Sequence, residues 1–156
     1  MAVPRRMLLA ALLLPGAAAA DSRTLEVTGA IAPPVPRLLG LMDLEAFGTA
    51  ELVTRTPWTQ GPQRFGGVPM ARLLAALGAQ GTALRAVALN DYAVTMPPAA
   101  MEEDGAFLAT RRDGLPLPVR ERGPFWIVFP WSSRPDLDSA LHRQRSVWQV
   151  HRLEVT

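Results

Sequence analysis

Apolar and polar residues alternate along much of this chain, and the alternation predicts strands. Leu25 and Val27 alternate with polar neighbours over residues 24–28, the first such segment. An apolar run at residues 124–130 is typical of a buried strand. Further strands are predicted at residues 51–56, 84–89, 93–96, 106–110 and 146–155.

Helical spacing is confined to three short segments. Residues 41–47 place Leu41 and Leu44 on one face, and residues 98–103 allow a single turn. Residues 68–77 give the clearest helix, because proline stands near its start, glycine near its end, and an apolar stripe runs along it. Several strands with few short helices predict one sheet-dominated α+β domain over residues 21–156.

The segments between these elements are predicted to be loops. Residues 59–67 are polar and rich in glycine, and residues 131–141 have no regular pattern. Residues 111–114 (RRDG) read as a turn with Asp-Gly at its tip. Trp126 is expected in the core, whereas Trp131, which follows Pro130, is expected on the surface, where a partner would contact it.

The first twenty residues have the pattern of a cleaved secretory signal peptide. Arg5 and Arg6 precede an apolar run at residues 7–14, small residues follow at 17–20, and Asp21 is a plausible mature start. The apolar run is too short to span a bilayer. The arginine pair also fits a twin-arginine signal, so the sequence leaves the export route open.

Charge and composition exclude several classes of function. The whole chain has 16 basic and 14 acidic residues, and removal of Arg5 and Arg6 with the signal leaves a neutral domain. Without a basic stripe, nucleic-acid binding is not expected. The chain has no cysteine, so it offers neither a thiolate metal ligand nor a thiol nucleophile. His142 and His151 lie nine residues apart, which fits no zinc motif.

The sequence Asn90-Asp91-Tyr92 is the most suggestive polar cluster. It lies between two predicted strands and offers an amide, a carboxylate and a phenol at one strand end. Such groups suit a flat polar ligand. Asn and Asp also favour β-turns through bonds to nearby backbone, so both interpretations stay open on spacing alone.

Four segments occur in an order that resembles a known family. They are residues 64–70 (RFGGVPM), 89–94 (LNDYAV), 108–118 (LATRRDGLPLP), and 123–130 (GPFWIVFP) followed by 146–150 (SVWQV). The ordered set resembles the molybdopterin-binding domain of the sulfite-oxidase-like oxidoreductases. The resemblance covers roughly residues 51–155 and implies that fold.

The chain departs from that family at the positions that would hold the metal. The family's molybdenum-binding cysteine follows the strand matched here by residues 51–56, where this chain has Thr54-Arg55-Thr56-Pro57-Trp58. Trp126 replaces a family arginine, and Val147-Trp148 replaces a Lys-Trp pair. A hydroxyl or guanidinium cannot replace a soft thiolate. These departures favour a pterin site without redox catalysis.

A smaller group within the family is similar in lacking cysteine, being secreted and standing alone. That resemblance implies a periplasmic protein that binds a reduced pterin. It also implies a partner, the periplasmic domain of an inner-membrane signalling enzyme that makes or degrades cyclic di-GMP. The alternative from the enzyme class is a molybdopterin-dependent oxidoreductase with an atypical metal site.

A pterin site needs an aromatic face, a polar group for the guanidine-like edge, and donors for the carbonyl edge. Asn90 or Asp91 is expected at the guanidine-like edge, Tyr92 or Trp58 as the stacking face, and Arg55 as a donor or a stacking plane. Arg111 is either a site residue or a solvated residue beside a turn. The nine candidate ligand-binding residues are Arg55, Trp58, Asn90, Asp91, Tyr92, Arg111, Arg143, Ser146 and Trp148.

Overall fold

The structure, a computed structural model, describes residues 23–156. The predicted signal peptide at residues 1–20 lies outside this range. The described part contains ten strands: β1 (Leu25–Gly29), β2 (Arg37–Leu39), β3 (Ala50–Thr54), β4 (Gln63–Pro69), β5 (Leu84–Ala88), β6 (Ala93–Met96), β7 (Phe107–Arg112), β8 (Leu115–Pro116), β9 (Trp126–Val128) and β10 (Val150–Val155). Its α-helices are α1 (Leu41–Glu45), α2 (Met70–Ala76), α3 (Pro98–Glu103) and α4 (Ala140–Arg145). None of these helices is long and apolar enough to cross a membrane.

The strands form two five-stranded sheets. The first has the order β2-β1-β10-β5-β6, in which β1 and β10 run parallel and the other pairs are antiparallel. In the second, β3 pairs with β4, and β4 pairs with β7. One part of β7 pairs with β8 and another with β9. The sheet-dominated α+β architecture expected from the sequence is therefore present.

A single apolar core connects both sheets with the helices. Leu25 in β1, Phe65 in β4 and Trp126 in β9 are all fully buried in it. The apolar stripe predicted for α2 is buried as expected. Complete burial of one such side chain contributes about 1.5–3 kcal/mol. A domain of this size without disulfides depends on that core for its stability.

The prediction of a loop over residues 59–67 was wrong in its second half. Gln63 to Pro69 form β4, the strand that joins β3 to β7. A Cβ atom on Gly67 would lie 2.0 Å from the carbonyl oxygen of Leu108, so glycine permits the close approach of β7. The two glycines that suggested a loop instead allow this strand pairing, and α2 begins only at Met70.

The region before the last strand also differs from the prediction. Residues 140–145 form α4, and β10 begins at Val150 instead of residue 146. The Ser139 hydroxyl accepts a hydrogen bond from the His142 amide and caps α4. Trp131 is buried, not exposed as expected, because its indole N–H donates to the Leu137 carbonyl oxygen at 2.9 Å.

The predicted turn at residues 111–114 is shorter than expected. Arg111 and Arg112 belong to β7, and only Asp113 and Gly114 turn the chain, both at positive φ. The two arginines are therefore strand residues with fixed backbone positions.

Candidate functional site

A cavity of about 250 Å³ lies between the β5–β6 hairpin and the segment that leads from α4 to β10. Five of the nine candidate residues line it, together with Ala88 and Val147; the five are Asn90, Tyr92, Arg143, Ser146 and Trp148. Pockets for drug-sized ligands measure about 300–1,000 Å³, so this cavity suits a single small heterocycle.

The hairpin that forms one wall is a tight turn. The Asp91 amide donates to the Ala88 carbonyl oxygen at 3.0 Å, and the Ala88 amide donates to the Tyr92 carbonyl oxygen at 2.8 Å. The Asn90 side-chain oxygen accepts the Tyr92 amide at 3.2 Å. The β-turn expected for these residues is therefore present in the backbone, and the side chains of Asn90 and Tyr92 also line the cavity.

Asp91 occupies the exposed tip of this turn and does not line the cavity. Its φ of 67° is a left-handed conformation that Asp tolerates better than most residues. Its carboxylate makes no hydrogen bond or ion pair with any residue in the range 23–156. The turn alone accounts for aspartate at this position.

The opposite wall is carried by α4 and the residues after it. The Tyr92 hydroxyl donates to the Gln144 carbonyl oxygen at 3.2 Å, which joins this wall to the hairpin. Arg143 pairs with Asp138 through Nη2 at 2.7 Å and Nε at 3.1 Å. The guanidinium is exposed, so it can exchange this partner for a ligand at modest cost.

Ser146 shapes the cavity, and its hydroxyl proton is already used within the protein. Its hydroxyl donates to the Ile127 carbonyl oxygen at 2.6 Å and accepts from the Trp126 indole N–H at 3.0 Å. The residue is buried. Its function here is to fix the chain after α4 against β9, and thereby to place Trp148.

A buried histidine anchors α4. His142 Nε2 lies 2.8 Å from Asp104 Oδ2, and its Nδ1 lies 2.9 Å from Ser139 Oγ. Since a carboxylate only accepts, Nε2 carries the proton and donates it. Phe129 packs edge-on against the ring, with centroids 5.1 Å apart. No local pattern in the sequence links Asp104 and His142, which lie 38 positions apart.

Four tryptophans pack together beside the main cavity, and Trp58, a candidate stacking face, contacts the other three. The Trp58 ring lies 5.0 Å from Trp148, 5.9 Å from Trp131 and 6.1 Å from Trp126, all between centroids. The Arg122 guanidinium lies over two of these rings, 5.3 Å from Trp126 and 5.4 Å from Trp148. Its position supplies a cation–π contact that sequence reasoning missed.

The remaining candidates lie apart from the main cavity. Arg55 lines a second cavity with Pro57, Trp131 and Asp138. Arg111 forms a two-point ion pair with Glu45 in a groove on the other sheet. The hydrogen bond to the Glu45 carboxylate raises the pKa of Arg111 above its usual value. Arg111 therefore has a carboxylate partner already and does not contribute to the main cavity.

The residues present do not fit a thiolate-bound molybdenum centre. The chain has no cysteine, and the corresponding loop offers only the hydroxyls of Thr54 and Thr56 and the guanidinium of Arg55. Within residues 23–156, no three His, Cys, Asp or Glu side chains are grouped so that they could hold a metal ion. Hard oxygen donors are poor substitutes for a soft thiolate.

Comparisons with known proteins support the fold alone. No family model matches the sequence, and no curated protein matches it. Among solved structures, the chain is similar to the sulfane dehydrogenase SoxCD from Paracoccus pantotrophus, with a TM-score of 0.60 and 21% sequence identity. The match covers 90% of this chain and 40% of that chain. The likeness supports a sheet-rich α+β fold of the sulfite-oxidase-like kind.

Proposed function

We propose that this protein binds a reduced pterin in the periplasm and regulates a membrane signalling partner without redox catalysis of its own. The observation that carries the proposal is the cavity beside the β5–β6 hairpin, which brings five of the nine candidate residues together. They come from two segments more than fifty residues apart in sequence, so the fold assembles the site.

The chemistry of the cavity suits a flat heterocycle with polar edges. Trp148 and Tyr92 offer aromatic faces, and Ala88 and Val147 supply a small apolar lining. Asn90 uses its oxygen in the turn, whereas its amide nitrogen has no partner in the described part of the chain. That nitrogen is a donor, so Asn90 suits the carbonyl edge of a pterin and not the guanidine-like edge expected from the sequence.

The regulatory part of the proposal rests on the family resemblance. An inner-membrane enzyme that makes or degrades cyclic di-GMP is the implied partner, contacted through its periplasmic domain. Tyr92 is 46% exposed while it lines the cavity, and Leu89 and Leu141 are exposed on the same hairpin and on α4. A partner that covers these residues would detect whether the cavity is filled.

Molybdopterin-dependent redox catalysis is the alternative function. The chain lacks the thiolate that the resembled family uses to bind molybdenum. Its best support is the pair Arg5 and Arg6, because a twin-arginine signal is the export route of folded cofactor proteins. Elemental analysis of protein from a periplasmic extract tests this directly, because stoichiometric molybdenum would favour the enzyme over the pterin sensor.

The main test is anaerobic titration of the mature protein with tetrahydrobiopterin, followed by tryptophan fluorescence. Asn90→Asp keeps the oxygen that caps the turn but removes the amide donors, and we expect it to weaken binding about tenfold or more. Gln80→Glu adds the same charge in a loop that does not line the cavity, and it should bind like the parent protein.

Two results contradict the proposal. Absence of pterin binding by the parent protein would remove the sensor function altogether. Loss of affinity in Asp91→Asn, with Asn90→Asp unaffected, would move the ligand to the exposed hairpin tip. Periplasmic export is tested by N-terminal sequencing of the protein from a periplasmic fraction, where we expect Asp21 as the first residue.

A further inference from the structure

We infer that the pterin bound here carries a negatively charged tail, and that its anionic group binds Arg55 in a second cavity beside the first. This inference rests on the proposed function and specifies its ligand. The second cavity measures about 250 Å³ and is lined by Arg55, Thr56, Pro57, Trp131, Pro135 and Asp138.

Two independent contacts show that the cavities are neighbours. Trp58 lies 5.0 Å from Trp148, which lines the first cavity, and 5.9 Å from Trp131, which lines the second. Arg143 of the first cavity forms an ion pair at 2.7 Å with Asp138 of the second. A ligand that occupies both cavities therefore has to pass the Trp58 ring and the Arg143–Asp138 ion pair, which connect the two linings.

The Arg55 guanidinium has no partner among residues 23–156. Its backbone amide donates to Ser132 Oγ at 2.8 Å, but no hydrogen bond or ion pair involves its side chain. Most other arginines of the described chain are paired with a carboxylate, for example Arg64 with Glu51 and Arg112 with Glu121. A free guanidinium in a cavity offers a planar pair of donors to a carboxylate or phosphate.

The backbone that carries Arg55 is held in place. Thr54 Oγ1 accepts the Ser132 amide at 2.9 Å, and Ser132 Oγ accepts the Arg55 amide in return. This reciprocal pair ties the end of β3 to the loop after β9. The base of the arginine is therefore positioned before a ligand arrives, which reduces the cost of ordering the site.

The charges around the two cavities also favour an anion. Arg55 and Arg143 are positive, and Asp138 is the acidic residue among the lining residues of both cavities. While Arg143 pairs with Asp138, as it does in this structure, Arg55 is the cavity arginine without a carboxylate partner among residues 23–156. Arg55 is exposed and hydrated in the free protein, and a tail that ends in a carboxylate or phosphate would replace that water with charge-assisted hydrogen bonds.

The ligands that test the inference differ in one charge, and all of them are used in their tetrahydro forms in the absence of oxygen. Pteroic acid has an aryl carboxylate tail long enough to cross an indole, and its carboxamide has the same shape without the charge. We expect the parent protein to bind pteroic acid about tenfold more tightly than the carboxamide, because a hydrogen bond to a charged group is stronger than one to a neutral group. The difference should shrink as salt concentration rises.

Two variants locate the effect. Arg55→Gln should bind pteroic acid as weakly as the carboxamide, while its affinity for the carboxamide stays at the parent value. Arg120→Gln removes the same charge from an exposed residue that lines neither cavity, and the tenfold preference should survive in it. The diphosphate ester of 6-hydroxymethylpterin, measured beside free 6-hydroxymethylpterin, shows whether a phosphate uses Arg55 in the same way.

The outcomes separate this inference from the function on which it rests. An Arg55-dependent preference for either anionic ligand supports it. If 6-hydroxymethylpterin binds but no anionic ligand gains from Arg55, the pterin function stands and the second site is wrong. If the preference for the anionic ligand persists in Arg55→Gln, another residue binds the anion and the assignment to Arg55 is wrong. If no pterin binds at all, both proposals are overturned.

Discussion

The Tyr92 hydroxyl donates a hydrogen bond to the Gln144 carbonyl oxygen across a gap of 3.2 Å. This bond connects the β5–β6 hairpin to α4, the two elements that enclose the main cavity. Tyr92 therefore has two roles in the structure, since its ring lines the cavity and its hydroxyl fixes the distance between the walls.

Tyr92→Phe removes that bond and leaves the ring in place. We expect the free energy of unfolding to fall by about 0.5–1 kcal/mol, near the lower end for a hydrogen bond because the residue is half-exposed. Urea denaturation measures the change. Gln144→Ala is the matched control, because the acceptor is a backbone carbonyl and survives the substitution. Equal losses in both variants would show that the hydroxyl bond is not the cause.

Much of the fold follows from local patterns. The period-two alternation of Leu25 and Val27 identified β1, and the stripe along residues 68–77 identified α2. β4 was missed because Gly66 and Gly67 suit a loop as well as a strand. These glycines occur in a strand because β7 approaches it closely. β7 lies some forty residues further along the chain, so no local pattern reveals this pairing.

Gly67 is predicted to be far less tolerant of substitution than Gly66. An added Cβ at Gly67 would lie 2.0 Å from the Leu108 carbonyl oxygen, a backbone atom that cannot move without breaking the sheet. At Gly66 the nearest atom is the Arg111 Cβ at 3.4 Å, an ordinary contact. Gly67→Ala should therefore cost about 2–4 kcal/mol of unfolding free energy, and Gly66→Ala less than about 1 kcal/mol. Thermal and urea unfolding of the two variants measures the difference, and similar stabilities would contradict the close approach of β4 and β7.

The site was harder to predict than the fold, for a similar reason. Asn90 and Tyr92 line the main cavity, and they were candidates because adjacent polar residues at a strand end are visible in sequence. Asp91 belongs to the same polar cluster, but its positive φ directs the chain so that it stands at the tip, outside the cavity lining. Arg122 and His142 were missed because their partners are aromatic or acidic residues that only the tertiary fold brings near.

The pKa of Asp136 should be below its usual value because the Arg134 guanidinium donates a hydrogen bond to the carboxylate, with Nη2 to Oδ2 at 2.7 Å. A lowered pKa in the folded state favours the charged carboxylate there. The pair's contribution to stability is thus present above the pKa of the unfolded chain and is lost as pH falls through the folded value. Side-chain NMR titration measures the shift. Arg134→Gln should return the pKa of Asp136 toward its usual value, and Arg120→Gln should leave it unchanged. An unshifted pKa in the parent protein would contradict the pairing.

Asp104 should matter more to stability than its acidic neighbours, because it alone among them accepts a hydrogen bond from a buried histidine. Asp104→Ala leaves His142 Nε2 without its partner and removes the carboxylate 3.7 Å from Arg145, so we expect a loss of about 1–3 kcal/mol. Glu103→Ala, on an exposed residue one position earlier, should stay within about 0.5 kcal/mol of the parent protein.

Hydrogen exchange gives the local measurement, since the amides of α4 should exchange faster in Asp104→Ala alone. Because α4 carries Arg143, the same variant should also bind pterin more weakly. Unchanged exchange in α4, together with a global loss of stability, would mean that Asp104 acts on the fold as a whole and does not anchor this wall of the cavity.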